Sequence, residues 1–478
     1  LNEEYFYVYK NIVPNIDTLK GRIFMKKIIF LSIMVVFFAS GGQTAFCHDN
    51  NSFYTEVDKT TIGSSQISLN DAINYAIKNN PYVAAKTYEA EAASQRVSQF
   101  KGAILPKAQI IGSMTHYTAD QRLYPATFNG ETGIFSPNIA TGEVIVSIPL
   151  YNGGRLMKQV AASELLYMAS QKQLSRTIDE IIYNVTSIYY SILAQKKVIG
   201  SLEFSLKALV SHLEKINQML SVGKAANVDM LRTEVRIADI KQQILKEKNL
   251  LAVQHRVLGN ILGISDDVIS ISDDENLGIH YDFAIPNLSE LLEKALTSRG
   301  DYLSAFNAIM AQEKNIQTLK TFKLPTLSIQ GSYAGKFGFS PTTGHGEKDV
   351  YYGKVGVMAD FSLFDGFQTD SKIREQMAIY NSLKMKLISL RMQIKLEIET
   401  AILNINSLME RSKAILKTID QAKESLRIEE EKYTFGKGSV IDILDAQSAL
   451  LESEKNFYKI QADFHIALAQ LKFSMGEK

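Results

Sequence analysis

The sequence predicts a mainly α-helical protein with a β-barrel portion, built as an internal duplication in which each half reads helix, helix, strand, strand, long helix, helix. Three observations predict this class. Long proline-free stretches carry apolar residues at steps of three and four, the period of coiled-coil packing. Two pairs of shorter segments alternate apolar and polar residues, the period of a half-buried strand. The pattern also returns on itself. Leu69 and Leu288, Pro106 and Pro325, and Gly112 and Gly331 are 219 residues apart (325 − 106). Gly223 and Gly436, Asp229 and Asp442, and Leu231 and Leu444 are 213 apart (436 − 223). Such a repeat takes precedence over the division into about three domains that length alone would suggest.

The elements follow in order. Residues 1–24 read as upstream sequence; Met25-Lys26-Lys27 and the apolar run from Ile28 to Ala39 then form a secretory signal, too short to span a bilayer. Cleavage after Cys47 suits the small residue Ala45. Lipidation of Cys47 is the rival reading, for which Phe46 is a poor neighbour. Residues 48–67 are a polar lead-in to a first repeat at 68–263. Ser68 and Asp71 make a capping box that opens a helix. Asn79-Asn80-Pro81 interrupts it, and a second helix stops before Pro106.

A strand is expected at about 108–118, with Ile110, Gly112 and Met114 on one face. A loop holding Pro125, Asn129-Gly130, Gly133 and Pro137 leads to a strand at about 143–150, where Val144, Val146, Ile148 and Leu150 share a face. Beyond the turn at Asn152-Gly153-Gly154, the positions Ile181, Val185, Ile188, Ile192, Leu202, Leu206, Leu209, Leu213, Ile216 and Leu220 mark one helix of roughly 100 Å. A tip at about 221–229 reverses the chain, and a shorter helix returns to Leu262. An acidic linker, 264–286, joins the second repeat, 287–478, with strands at about 326–337 and 350–364 and a tip at about 434–442. Val355, Val357, Ala359, Phe361 and Leu363 are expected along one strand face. The second long helix keeps the register of the first, through Ile394, Ile398, Ala401, Ile405, Ile415, Ile419, Ala422 and Leu426.

The second tip, Tyr433 to Gln447, is the most informative stretch. Gly436 and Gly438 are expected to supply the positive φ that ends a helix, and Ser439 with Asp442 to cap the next one. At the first tip Ala225-Ala226 stands where Gly438-Ser439 would, so the cap there is weaker.

Composition excludes several functions. The net charge of +1 is evenly mixed, so no basic footprint for nucleic acid exists. Cys47 is the single cysteine and the seven histidines are scattered without an i, i+4 pair. No disulfide framework, metal site or cofactor is therefore expected. Gly436-Lys437 lacks the rest of a phosphate loop, no nucleophile or zinc motif occurs, and no enzyme is expected. Past the signal no apolar run is long enough for a membrane helix, so an exported chain of this kind enters a membrane only as barrel strands. Four strands cannot close a barrel, which starts at about eight, so several chains must share one.

On these residues the chain resembles the TolC-like outer membrane efflux proteins. The resemblance rests on the tip Phe435-Gly-Lys-Gly-Ser-Val-Ile-Asp-Ile-Leu-Asp-Ala446, the turn Leu363-Phe-Asp-Gly366 and the duplicated order. It implies a homotrimer in the outer membrane of a Gram-negative bacterium, among outer membrane lipids. A twelve-stranded β-barrel would be continued by a periplasmic α-helical barrel. It also implies a passive exit duct for a tripartite efflux or type I secretion system. Its tips would meet a periplasmic adaptor (membrane fusion) protein coupled to an inner-membrane transporter of RND or ABC type.

Carried over, the adaptor-docking residues are Gly223, Lys224, Val228, Asp229 and Leu231, with Gly436, Lys437, Gly438, Ser439, Asp442 and Leu444. Glu424, Glu429, Glu430 and Glu431 are candidate pore-end carboxylates, since a ring of such groups attracts cations. A solvated helix face is the alternative for them. For the whole chain, the alternative is a periplasmic coiled-coil scaffold without a pore.

Overall fold

The computed structural model describes residues 66–477 except 124, 127, 131, 132, 224, 265–270, 273–276, 280–286 and 340–347. The signal segment with Cys47, most of the lead-in, Lys224 and the acidic linker residues Asp266, Asp267, Asp273, Asp274 and Glu275 lie outside the described residues.

Twelve principal elements are described, in the same order twice. The first six are α1 (Leu69–Asn79), α2 (Pro81–Gly102), β1 (Lys107–Arg122), β2 (Phe135–Tyr151), α3 (Arg155–Ser221) and α4 (Asn227–Leu262). The second six are α5 (Leu288–Ser298), α6 (Gly300–Lys320), β3 (Thr326–Phe339), β4 (Lys348–Asp360), α7 (Gln368–Thr434) and α8 (Val440–Met475). Helices α3 and α7 have 67 residues each and α4 and α8 have 36 each.

Local chemistry sets the boundaries. The Ser68 side chain accepts from the Asp71 amide at 3.2 Å and donates to the Asp71 carboxylate at 2.7 Å, starting α1. Asn80 caps α2 by accepting from the Tyr82 amide at 2.8 Å, and Pro81 occupies the first turn, where the missing N–H costs nothing. Between the halves, Ile271 forms a parallel bridge with Ile67. The buried Tyr189 hydroxyl on α3 donates to the carbonyls of both Ile67 and Ser272, each at 3.1 Å.

The long helices pack along their apolar seams. Leu202, Leu209 and Ile216, seven residues apart, are fully buried on α3. They meet Ile237, Ile240 and Ile244 of α4 and Val440, Leu444 and Leu451 of α8. Ile394, Ile398, Ala401 and Ile405 of α7 meet Ile460, Phe464 and Leu471 of α8. The helices thus lie side by side as α4, α3, α8, α7. The first half's long helix is flanked by the second half's return helix.

A buried ionic cluster ties the end of α8 to the row. Arg299 donates to both Asp301 oxygens at 2.7 and 3.1 Å, to Glu397 at 2.6 Å and to the Ser474 carbonyl at 3.0 Å. Arg176 donates to the Phe473 carbonyl at 2.7 Å and lies over that residue's ring. Two cations at a helix C-terminus complement its exposed carbonyls.

The four strands form one antiparallel sheet in the order β1-β2-β3-β4. Three expectations need correction. The first two strands are longer than 108–118 and 143–150. β2 is hydrogen-bonded on both sides, so its pairing continues past the point where Thr141-Gly142 weakens the alternation. Pro137 lies in β2 rather than in the loop, between the paired residues Ser136 and Asn138, where the register with β1 shifts. β4 ends at Asp360, so Phe361 and Leu363 are not strand residues in the isolated chain; its outer edge has no strand to hold them.

Candidate functional site

The sheet has two unlike faces. Cross-strand registers place Ile110, Val144 and Tyr333 in one row, and Val146, Gly331 and Val355 in another on the same side. This apolar side is uncovered: Val355 is 82% exposed, and Met114, Ile110, Val357 and Tyr333 are also exposed. On the opposite side Ser113 and Thr141 share a hydrogen bond of 2.6 Å, and Lys354 pairs with Glu143 at 3.0 Å. Gln109, Ser147, Gln330 and Lys336 stand on that side too. An exposed apolar face opposite a polar one is the profile of a sheet with lipid outside and water inside. Among the described residues no helix is long and apolar enough to cross a membrane.

The two tips close alike at the glycine and differ after it. Gly223 and Gly436 have φ of +74° and +69°, the left-handed conformation that glycine adopts without strain. At the second tip the Gly436 amide donates to the Tyr433 carbonyl at 2.9 Å and the Lys437 amide to the Lys432 carbonyl at 2.8 Å. Those bonds satisfy the last carbonyls of α7. Ser439 completes a capping box with Asp442. Gly438 differs from expectation: its φ is not positive, and its role is close approach. A Cβ there would sit 2.9 Å from the Tyr433 nitrogen and 3.0 Å from the Lys432 Cβ. At the first tip Ala226 precedes α4 without a side-chain cap.

The outward-facing residues also differ between tips. Val228 and Leu231 are exposed, as are Gly223, Gly436, Lys437 and Ser439. Leu444 is not: it is 9% exposed, in the α3–α8 core, whereas its counterpart Leu231 is 49% exposed. Asp229 and Asp442 occupy the first turns of α4 and α8, where a carboxylate suits the helix's positive end.

Three of the four glutamates are held by cations on their own helix. Arg427 lies between Glu424 at 2.6 Å and Glu431 at 2.5 Å, and Lys432 pairs with Glu429 at 2.7 Å. The hydrogen bond from Arg427 holds the Glu424 carboxyl below its ordinary range. Glu430 is exposed.

Beneath the tips lies a cluster that sequence reasoning passed over. Tyr433 of α7 faces His212 of α3, ring centroids 5.5 Å apart, with Asp229 of α4 nearby. Burial lowers the His212 pKa and Lys215 lowers it further, while Asp229 raises it. Burial also raises the Tyr433 pKa. The available signal was the α3 apolar seam, which carries His212 beside Leu209, Leu213 and Ile216.

A part-lipid, part-aqueous sheet extended by helical rods defines a subunit of an outer-membrane channel. The chain belongs to the outer membrane efflux protein family, whose model matches residues 72–264 and 291–477. It is 21% identical over 419 residues to the outer membrane protein TolC of Vibrio cholerae, covering 86% of this chain and 90% of that one. The proteases secretion protein PrtF of Dickeya chrysanthemi is 20% identical, with 87% and 89% covered. The outer membrane protein VceC of Vibrio cholerae shares the fold with a TM-score of 0.71 at 14% identity, over 86% of this chain and 96% of that one. The family is one of transport conduits rather than enzymes, and the chain is an outer membrane exit duct of a Gram-negative bacterium.

Proposed function

We propose that three copies of this chain pool their sheets into one barrel and continue it inward as a helical tube. The tips of that tube would dock a periplasmic adaptor linked to an inner-membrane transporter of the RND or ABC type. The observation that carries the proposal is the four-stranded sheet, apolar on one side, whose first and last strands are both outer ones. In lipid, unpaired strand edges cost several kcal/mol for each exposed backbone group. Neighbouring copies supply the missing strands.

The docking surface we assign is Gly223, Lys224, Val228 and Leu231 with Gly436, Lys437, Gly438 and Ser439. Asp229 and Asp442 shape the helix starts beside it, and Leu444 supports it from within. Glu424, Glu429, Glu430 and Glu431 belong to the pore end, Glu424 and Glu431 tempered by their pairing with Arg427 and Glu429 by its pairing with Lys432. A passive duct leaves selectivity to its pump. A scaffold without a pore would leave the apolar face of the sheet without a medium that suits it.

The test is the detergent-solubilised protein. A mass of three chains of 53.4 kDa each, less any removed signal, with steady conductance in planar bilayers, is expected. A soluble monomer without conductance would overturn the reading.

A further inference from the structure

The polar side of the sheet carries charge that does not cancel. On that side Lys354 is opposite Ser332, Glu143 opposite Ala334 and Lys336 opposite Thr141, in three successive cross-strand rows. Lys354 and Glu143 neutralise one another across 3.0 Å. Lys336 remains. Its ammonium lies 5.9 Å from the centre of the Tyr352 ring, and among the described residues no carboxylate pairs with it.

The row that holds Lys336 adds hydroxyls to that cation. Thr141 has Lys336 on one side and Ser113 on the other. The two hydroxyls share one hydrogen bond of 2.6 Å, which uses one of their two protons and leaves the other to donate. A cation beside a hydroxyl donor is a setting for an anion.

The carboxylates near the second tip pull the other way, but from a distance. Glu424 is 56 residues (424 − 368) beyond the start of α7, roughly 80 Å along the helix. At about 0.1 M salt a charge is felt over about 10 Å. The two regions therefore act in series, each on the ions passing it.

We propose that Ser113, Thr141 and Lys336 form an anion site in the barrel wall, and that the copies sharing the barrel arrange these sites as a ring that favours small inorganic anions over cations. This rests on the shared-barrel reading and adds an ion preference to it. The pump still chooses the cargo. A ring of lysines gives a pore its preference for anions.

Reversal potentials of the purified channel in planar bilayers, under a KCl gradient around 0.1 M, test the ring. Lys336→Glu is expected to lower the chloride-to-potassium permeability ratio by about threefold or more relative to the unsubstituted channel. Lys336→Gln is expected to lower it by less, and carries the test where the glutamate variant does not assemble. Glu143→Gln with Lys354→Gln removes a neutral pair and should leave the ratio unchanged. In about 1 M salt, where the screening length falls to about 3 Å, the Lys336 effect should shrink. An unchanged ratio in the Lys336 variants, an equal change in the pair variant, or an effect undiminished by salt would overturn the ring alone, provided the detergent mass is three chains and the channel conducts. A monomeric mass without conductance for the unsubstituted protein would overturn the shared barrel and the ring together.

Discussion

Replacing Gly436 and Gly438 with valine is expected to stop export while leaving the barrel assembled. Gly436 has φ of +69°, and an L side chain in that region costs about 1–2 kcal/mol. The Cβ added at Gly438 would stand 2.9 Å from a backbone nitrogen of the last turn of α7. Relief there requires moving that turn, on the order of 1–3 kcal/mol. Together the pair costs about 3 kcal/mol, which displaces the native tip conformation roughly a hundredfold. The cost is local, because the 67 residues of α7 hold the tip about 100 Å from the sheet. The assay is export by cells whose only copy carries both substitutions, with oligomer mass and conductance measured on the same protein. Loss of export with intact mass and conductance is expected. Wild-type export would refute the assignment of the tip as the docking surface.

Four further outcomes are expected. Arg299→Ala removes the cation shared by Asp301 and Glu397 and leaves Asp301 with Arg176 alone, at 3.6 Å; breaking such a pair costs about 3 kcal/mol, the low end because both carboxylates keep some solvent, and thermal circular dichroism measures it. Leu209→Ala in the α3 seam, where the side chain is 1% exposed, is expected to cost about 3 kcal/mol by the same method. Burial depresses the His212 pKa, so the unfolded chain binds its proton first. The stability contributed there is complete above the unfolded value of about 6.5 and is lost as pH falls below it; melting at pH 7.5 and 5.5 reads this, and His212→Gln should remove that part of the difference. Leu231→Asp should reduce export without lowering the melting temperature, whereas Leu444→Asp, a charge in the core, should lower it.

The helices were legible because their chemistry is local or periodic. Ser68, Asn80 and Ser439 act within three residues of themselves, and Leu202, Leu209 and Ile216 repeat at the spacing that burial requires. The sheet was less so. Pro137 reads as a loop residue, yet after a register shift beside it the pairing with β1 resumes at Ser136 and Phe135. Gly438 reads as a conformational glycine, but what constrains it is the neighbouring turn of α7. Leu231 and Leu444 are the same residue at matching places in the repeat, and sequence cannot separate them. Their environments differ because α8 has α3 beside it in the chain while α4 ends the row. The Tyr433–His212 contact joins residues 221 positions apart (433 − 212), and neither residue type announces the other.

The placing of α8 between α7 and α3 bears on how such a chain can diverge. Each half supplies a wall for the other, and those walls are set by buried residues such as Leu209, Ile405 and Phe464. The reversals at the helix ends are thereby freed from matching one another: one has a serine capping box and the other paired alanines without a side-chain cap. An assembly of separate identical half-length units would present a single kind of end. Fusion lets every chain carry two.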